Sequence, residues 1–256
     1  MEGRVVMRAP FLILAAVVPV ACAADVCNPR DFQGVYGFQL AGTTTISSQP
    51  QPVVSVGRLV FDGSGAVSGV SSLSFTGLSL GNPITGKYEV RENCSVSWSL
   101  QDDSGNHQHF EGTMTADARS VRFRQSDPGS GAQGTLVKAA DACQDRDFQA
   151  RYRYSISGKR IDVGTAQVSG SFSARGVMER RGGQLTLTVD DDSAKPATGT
   201  VQVDGDCFVH LELSFPSSSA DRLEMNFRGI LVDNGNGLLG MATDPGSALS
   251  LRLTAR

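Results

Sequence analysis

His107 and His109 stand two positions apart, with Glu111 two further on, and on a β-strand that spacing sets two imidazoles and a carboxylate on one face. Such a trio would suit a zinc or copper ion, which takes imidazole nitrogen and carboxylate oxygen readily. The intervening residues argue the other way. Phe110, Gly112 and Met114 share the opposite parity and form the apolar side of the strand, so the trio faces outward and supplies three donors where a structural zinc takes four. Asp190-Asp191-Asp192 offers oxygen to calcium but lacks the alternating ligands and distal Glu of a calcium loop, and reads as a solvated hairpin tip. Arg146, Arg151, Arg153 and Lys159 form either an anion-binding stripe or a solvated strand edge, the second being the commoner use of such charges. Serine is abundant, yet no GxSxG elbow occurs and the three histidines, His107, His109 and His210, all fall on outward positions. A Ser-His-Asp arrangement therefore has no histidine to turn inward, and the sequence names no catalytic residue. No glycine-rich segment joins a strand to a helix, so phosphate cradling is not expected, and no cofactor or metal motif is present.

The elements that must position these residues are legible because the chain is written twice. Cys27-Asn28-Pro29-Arg30-Asp31-Phe32-Gln33-Gly34-Val35-Tyr36 returns as Cys143-Gln144-Asp145-Arg146-Asp147-Phe148-Gln149-Ala150-Arg151-Tyr152. Later landmarks recur in order: Gly86 to Val90 before Cys94 and Gly199 to Val203 before Cys207; Phe110 and Gly112 with Phe227 and Gly229; Asp127-Pro128-Gly129 with Asp244-Pro245-Gly246. Phe61 and Gly65 are matched in the same way to Phe172 and Gly176. Of five cysteines, Cys22 falls in the N-terminal leader, residues 1–23; the other four allow three connectivities, and spacing does not choose among them. The repeat does, giving Cys27–Cys94 and Cys143–Cys207, one bridge per copy, each worth about 4 kcal/mol on the chain-entropy model. The linker is no longer than Ala139 to Ala142, which predicts a fixed contact between the two halves.

Residues 1–23 have the three parts of an export signal: Arg4 and Arg8, an apolar run from Phe11 to Val20, and Ala21-Cys22-Ala23 as a small-residue cleavage site. Acylation at Cys22 is the weaker alternative, since Pro19 stands where lipoprotein signals carry a Leu-like residue. The expected domains are then 24–139 and 143–256. Lys and Arg number 23 against 26 Asp and Glu, and removal of the leader makes the balance more acidic, so a nucleic-acid footprint is not expected. The apolar run is too short to span a bilayer, and no later segment approaches the length required.

Within each copy, short runs of period two are divided by Gly, Asp, Asn and Ser. The first copy predicts strands near 34–41, 53–61, 66–75, 84–91, 94–101, 107–115, 119–125 and 132–138, with Asp62-Gly63-Ser64-Gly65 as a hairpin turn. The fold class is all-β: two tandem eight-stranded antiparallel up-and-down barrels, with two β-sandwiches as the alternative, closure being favoured because it removes exposed strand edges. The opening Phe32-Gln33-Gly34-Val35-Tyr36-Gly37-Phe38, the glycine-rich hairpins and the Gly86-Lys87-Tyr88-Glu89-Val90 strand resemble the small calycin-type barrels, namely lipocalins, avidins and allene-oxide-cyclase-like proteins. That resemblance implies a barrel with one open end and carries no ligand or catalytic residue across.

Inward positions follow from the matched copies. Tyr36, Phe38, Trp98 and Phe110 in the first copy, and Tyr152, Tyr154, Leu211 and Phe227 in the second, are the residues expected to line an interior ligand site if one exists; for Trp98 core filler is the favoured reading over a pocket wall. The leading expectation is an exported non-catalytic binding protein for a small apolar or amphiphilic ligand or a protein surface. A cyclase or isomerase barrel would require an inward ionisable group, and a structural surface module would require solid barrels.

Overall fold

The computed structural model describes residues 27–46, 49–75, 77–190, 195–216 and 222–256. The export signal, Cys22, Asp191 and Asp192 lie outside the described residues. Strands β1 (Gly34–Ile46), β2 (Gln49–Phe61), β3 (Ala66–Phe75), β4 (Leu78–Val90), β5 (Ser95–Asp102), β6 (His107–Met114), β7 (Ser120–Gln125) and β8 (Gln133–Lys138) pair antiparallel in chain order, and β8 closes on β1. The second copy repeats this with β9 (Arg151–Asp162), β10 (Gln167–Arg181), β11 (Gln184–Val189), β12 (Ala197–Val203), β13 (Phe208–Phe215), β14 (Leu223–Val232), β15 (Gly237–Ala242) and β16 (Ser247–Ala255), β16 closing on β9. The two disulfides are Cys27–Cys94 and Cys143–Cys207, one in each half.

Each strand forms because its side chains alternate between a filled interior and an outer wall. On β5, Val96, Trp98 and Leu100 are buried, and their partners on β13 are Val209, Leu211 and Leu213. One end of each barrel is plugged in the same way. A 3-10 turn (Pro29–Asp31, then Asp145–Asp147) leads Phe32 and Phe148 into the interior. Beside each plug a tyrosine hydroxyl donates across the same rim, Tyr36 to the Ala118 carbonyl at 2.7 Å and Tyr152 to the Gly235 carbonyl at 2.6 Å.

The strand pairing corrects one pair of matches made from the sequence. Tyr36 faces Leu59 and Tyr152 faces Met178, so Phe61 corresponds to Arg180 and not to Phe172; likewise Phe38 faces Gly57 and Tyr154 faces Gly176, so the counterpart of Gly176 is Gly57 and not Gly65. The Phe61 match failed because the substitution changes chemistry while conserving the job. Phe61 packs on the Phe32 plug with centroids 4.5 Å apart, whereas Arg180 lies over the Phe148 ring at 5.5 Å and donates to the Asp145 and Phe148 carbonyls.

The halves dock through unlike faces. The outer side of β1 and β2 (Val35, Gly37, Gln39, Val54, Val56) packs against the outer side of β14 to β16 (Ile230, Val232, Leu239, Met241, Ala248), and these side chains join one continuous buried cluster. Gly37 is required there, because a Cβ would stand 2.4 Å from Val232 Cγ1 and 2.9 Å from Ile230 Cγ2. Gln39 is buried at the centre. Its Nε2 donates to the carbonyls of Gly240 (2.8 Å) and Leu251 (3.0 Å), and its Oε1 accepts from Arg252 Nε at 2.7 Å.

Candidate functional site

The larger concavities described lie on the outer wall of the first barrel. On β5 the outward residues are Ser95, Ser97 and Ser99, small side chains that leave a trough. It is walled by Lys87 and Glu89 from β4, by Arg91 just past the end of β4, and by His109, Glu111 and Thr113 from β6, with Arg122 and Arg124 of β7 beyond. Two adjoining grooves result, of about 720 Å³ and about 530 Å³, sharing Ser97 and Glu111 as common wall. The larger is lined by Arg91, Arg122 and Arg124 with Glu111, Thr113 and Gln133; the smaller by Lys87, Glu89, Ser99 and His109 with the Ser126-Asp127-Pro128 turn.

Most charges in the trough are engaged with neighbours. Arg91 pairs with Glu89 at 3.1 Å and Arg124 with Glu111 at 3.1 Å, both exposed, while Arg122 has no ion pair among the described residues. His109 Nδ1 sits 2.8 Å from Asp127 Oδ1, and the His109 backbone N–H donates to the other oxygen at 2.9 Å. Burial pushes the Asp127 carboxyl upward, but these bonds and one from Gln125 outweigh it and hold the group below the usual range. The same device recurs at the repeat, where Asp244 accepts from the Asn226 N–H at 2.6 Å, so the paired Asp-Pro-Gly turns fasten the strand start opposite them.

His107, His109 and Glu111 are all exposed, as the parity predicts, and do not converge: His109 is turned to Asp127 and Glu111 to Arg124. Among the described residues no three His, Cys, Asp or Glu side chains gather as a metal site. His210 is likewise outward, 3.2 Å from Asp204. Arg151 and Arg153 face outward and pair with Glu179 at 3.5 Å and Asp190 at 3.3 Å. Arg146 and Lys159 are exposed as well, Lys159 donating to Ser171 Oγ at 3.0 Å.

The eight positions expected to line an interior are inward and buried, and they pack against one another. Trp98 stacks on Phe110 at 5.2 Å, and Phe38 meets Phe110 at 5.8 Å and Phe123 at 5.3 Å. In the second barrel Tyr152, Tyr154, Leu211 and Phe227 belong to one continuous core. The recess at the end of the first barrel away from its plug, lined by Ser55, Leu73, Asn82, Ile84, Leu100 and Gln108 among others, has a volume of about 40 Å³. That is water-sized, where ligand sites run to several hundred Å³. Trp98 Nε1 and Tyr154 Oη are buried with no hydrogen-bond partner among the described residues, and burial, then the charge of Asp190, pushes the Tyr154 hydroxyl up to about 12. Asp190 itself is exposed and tied to Arg153.

Sequence reasoning missed the trough, because it assigned no role to the outward serines of this strand. The available signal was the run Ser95, Ser97, Ser99 against Phe208, His210 and Glu212 in the sister strand, small in one copy and large in the other.

Fold and wall together define a tandem β-barrel protein with filled interiors and a polar outer groove. No family model matches the sequence, and no curated protein matches it. Among solved structures, the chain is similar to transferrin binding protein B of serogroup B Neisseria meningitidis (9% identity, 89% of this chain and 77% of that one, TM-score 0.34). It is also similar to the transferrin binding protein B double mutant of Haemophilus parasuis (8% identity, 86% and 74%, TM-score 0.30) and to the Burkholderia oklahomensis agglutinin (12%, 88% and 96%, TM-score 0.18). At these TM-scores the likenesses carry no functional argument. None of these three is a lipocalin or an avidin, and the tandem barrels rest on the strand pairing itself.

Proposed function

We propose that this is an exported, non-catalytic binding protein that works through the outer wall of its first barrel and not through a barrel interior. The observation that carries the reading is the contrast in volume: about 720 and 530 Å³ in the outer grooves against about 40 Å³ in the recess at the barrel end. The residues facing the grooves suit a polar ligand, since hydroxyls, a His–Asp pair and three arginines outnumber apolar side chains there. Two disulfides and the leader sequence support export. A calycin-like use, with an apolar ligand held among Tyr36, Phe38, Trp98 and Phe110 or their counterparts, would require these packed rings to move apart.

The test is a fragment screen followed by amide NMR shifts, with a fluorescent fatty acid in parallel. Polar fragments should shift Ser97, Ser99, Glu111, Arg122 and Arg124, and the fatty acid should not saturate. Saturable fatty-acid binding, or shifts confined to the interior strands, would overturn the reading.

A further inference from the structure

The β6–β7 side of the larger groove overlaps the place in barrel 1 that the interdomain docking face, on β14 to β16, occupies in barrel 2. Phe110 faces Trp98 and Phe227 faces Leu211, so the two phenylalanines are equivalent, and three residues on Thr113 corresponds to Ile230. Across the next pairing, Thr113 faces Arg122 where Ile230 faces Leu239, and Glu111 faces Arg124 where Arg228 faces Met241. Ile230, Leu239 and Met241 are buried where barrel 2 holds the β1–β2 face of barrel 1. Their counterparts Thr113, Arg122 and Arg124 are exposed around the groove. A surface that grips an apolar sheet face in one copy is thus a cationic one in the other, where Arg122 has no ion pair among the described residues and a third arginine, Arg91, stands at the border.

We infer, resting on the groove as the binding site, that it docks a folded protein presenting a β-sheet face lined with carboxylates. The sister face shows that this wall of the barrel accommodates a sheet, and the charge complement selects an acidic one.

The probe is a second copy of the chain, built so that its free β9–β10 face is acidic (Arg153→Glu, Arg175→Glu) and its own groove is neutral (Arg122→Ser, Arg124→Ser). Arg153 and Arg175 correspond to Gly37 and Val56, so this face is the counterpart of the one already gripped within the chain. All four sites are exposed, and the melting temperature checks that the fold is kept. Mixed with the wild type, the probe should form a one-to-one complex by sedimentation, weakening as salt rises. It should bind about tenfold or more tighter than a probe with serine at 153 and 175. A wild-type partner given Arg122→Ser and Arg124→Ser should lose the complex. No complex, equal binding of the serine probe, or a complex indifferent to the groove substitutions overturns the inference. Saturable binding of polygalacturonate in the groove without a protein complex also overturns it, in favour of an acidic glycan. In that case, or if fragments still shift the groove amides, the groove stands as a binding site and only the partner class falls.

Discussion

Gln39 joins the two barrels through a side chain that a sequence reader would place on a solvated wall, and its replacement tests whether the contact is fixed. Its Nε2 spans carbonyls on two adjacent strands, Gly240 on β15 and Leu251 on β16, both residues buried. Gln39→Leu keeps the volume and leaves both carbonyls facing methyl groups, a loss of about 1 kcal/mol for each bond. The bond from Arg252 adds less, because that residue is exposed overall and its charge is screened, although partial burial lowers its pKa. The expected cost is about 2–3 kcal/mol, a large part of the usual 5–15 kcal/mol, and Arg252→Met should cost under about 1 kcal/mol. Gln39→Glu sharpens the test. One oxygen of the introduced carboxylate keeps the Arg252 guanidinium, which favours the ionised form, but the other is set against two carbonyl oxygens in a buried position. Burial and that repulsion outweigh the exposed, screened Arg252 charge and raise the pKa above the unfolded value. Stability of that variant should therefore be greatest at low pH and fall as pH rises through the raised pKa, the opposite of an ordinary salt-bridged carboxylate. Urea unfolding of the three variants between mildly acid and mildly alkaline pH reads all of this. A Gln39→Leu cost below about 0.5 kcal/mol, or a Gln39→Glu variant whose stability ignores pH, would refute the argument that the node fixes the interface.

Gly37→Ala forces a methyl into Val232 and Ile230 and should cost about 1–3 kcal/mol in urea unfolding, while Arg153→Ala at the equivalent, open position of barrel 2 should stay within about 0.5 kcal/mol; equal effects would contradict the asymmetric docking. Cys143→Ser with Cys207→Ser should lower stability by about 4 kcal/mol, and non-reducing peptide mapping should find no crosslink between the halves. Burial pushes the Tyr152 hydroxyl up to about 12, as it does Tyr154, and Tyr36 is raised further. Their neutral forms stabilise the fold fully below the unfolded value near 10, and that contribution is lost as pH rises toward 12. Phenolate absorbance should therefore stay low in the native protein at pH 10 and rise together with unfolding; early titration of these tyrosines would show that they are not buried.

The barrels were legible because duplication doubles every parity argument: Tyr36 with Tyr152 and Trp98 with Leu211 share a direction, and both disulfides follow from where the second cysteine recurs. The Asp62 turn was legible for a local reason, its carboxylate accepting the Ser64 and Ala66 N–H groups at 2.8 and 2.9 Å. The Phe61 register was not, since Arg180 replaces an aromatic contact by a cation over a ring and shares no letter with it. Nor was the trough, because period two tells inside from outside but says nothing of relief on the outer wall, which depends on side-chain length across three strands. The outward run of Val35, Gly37, Val54 and Val56 did carry a signal: apolar residues on an outer face mean a face that is covered.

Covering that face creates a problem that the rest of the sequence addresses. The docking is heterologous, β1–β2 of one copy against β14–β16 of the other, and a faithful duplicate would leave a complementary pair of faces free to add further chains without closing. Both free faces have been changed with the same sign. Where barrel 1 offers Gly37 and Val56, barrel 2 carries Arg153 and Arg175; where barrel 2 offers Leu239 and Met241, barrel 1 carries Arg122 and Arg124. Bringing the two free faces together would set arginine against arginine, so head-to-tail growth is opposed by charge at both ends. The β9–β10 face carries the charge alone. The other lies beside the serine trough, where the same substitution leaves an arginine-lined concavity, and a device that prevents self-association there also supplies a positive site for something else.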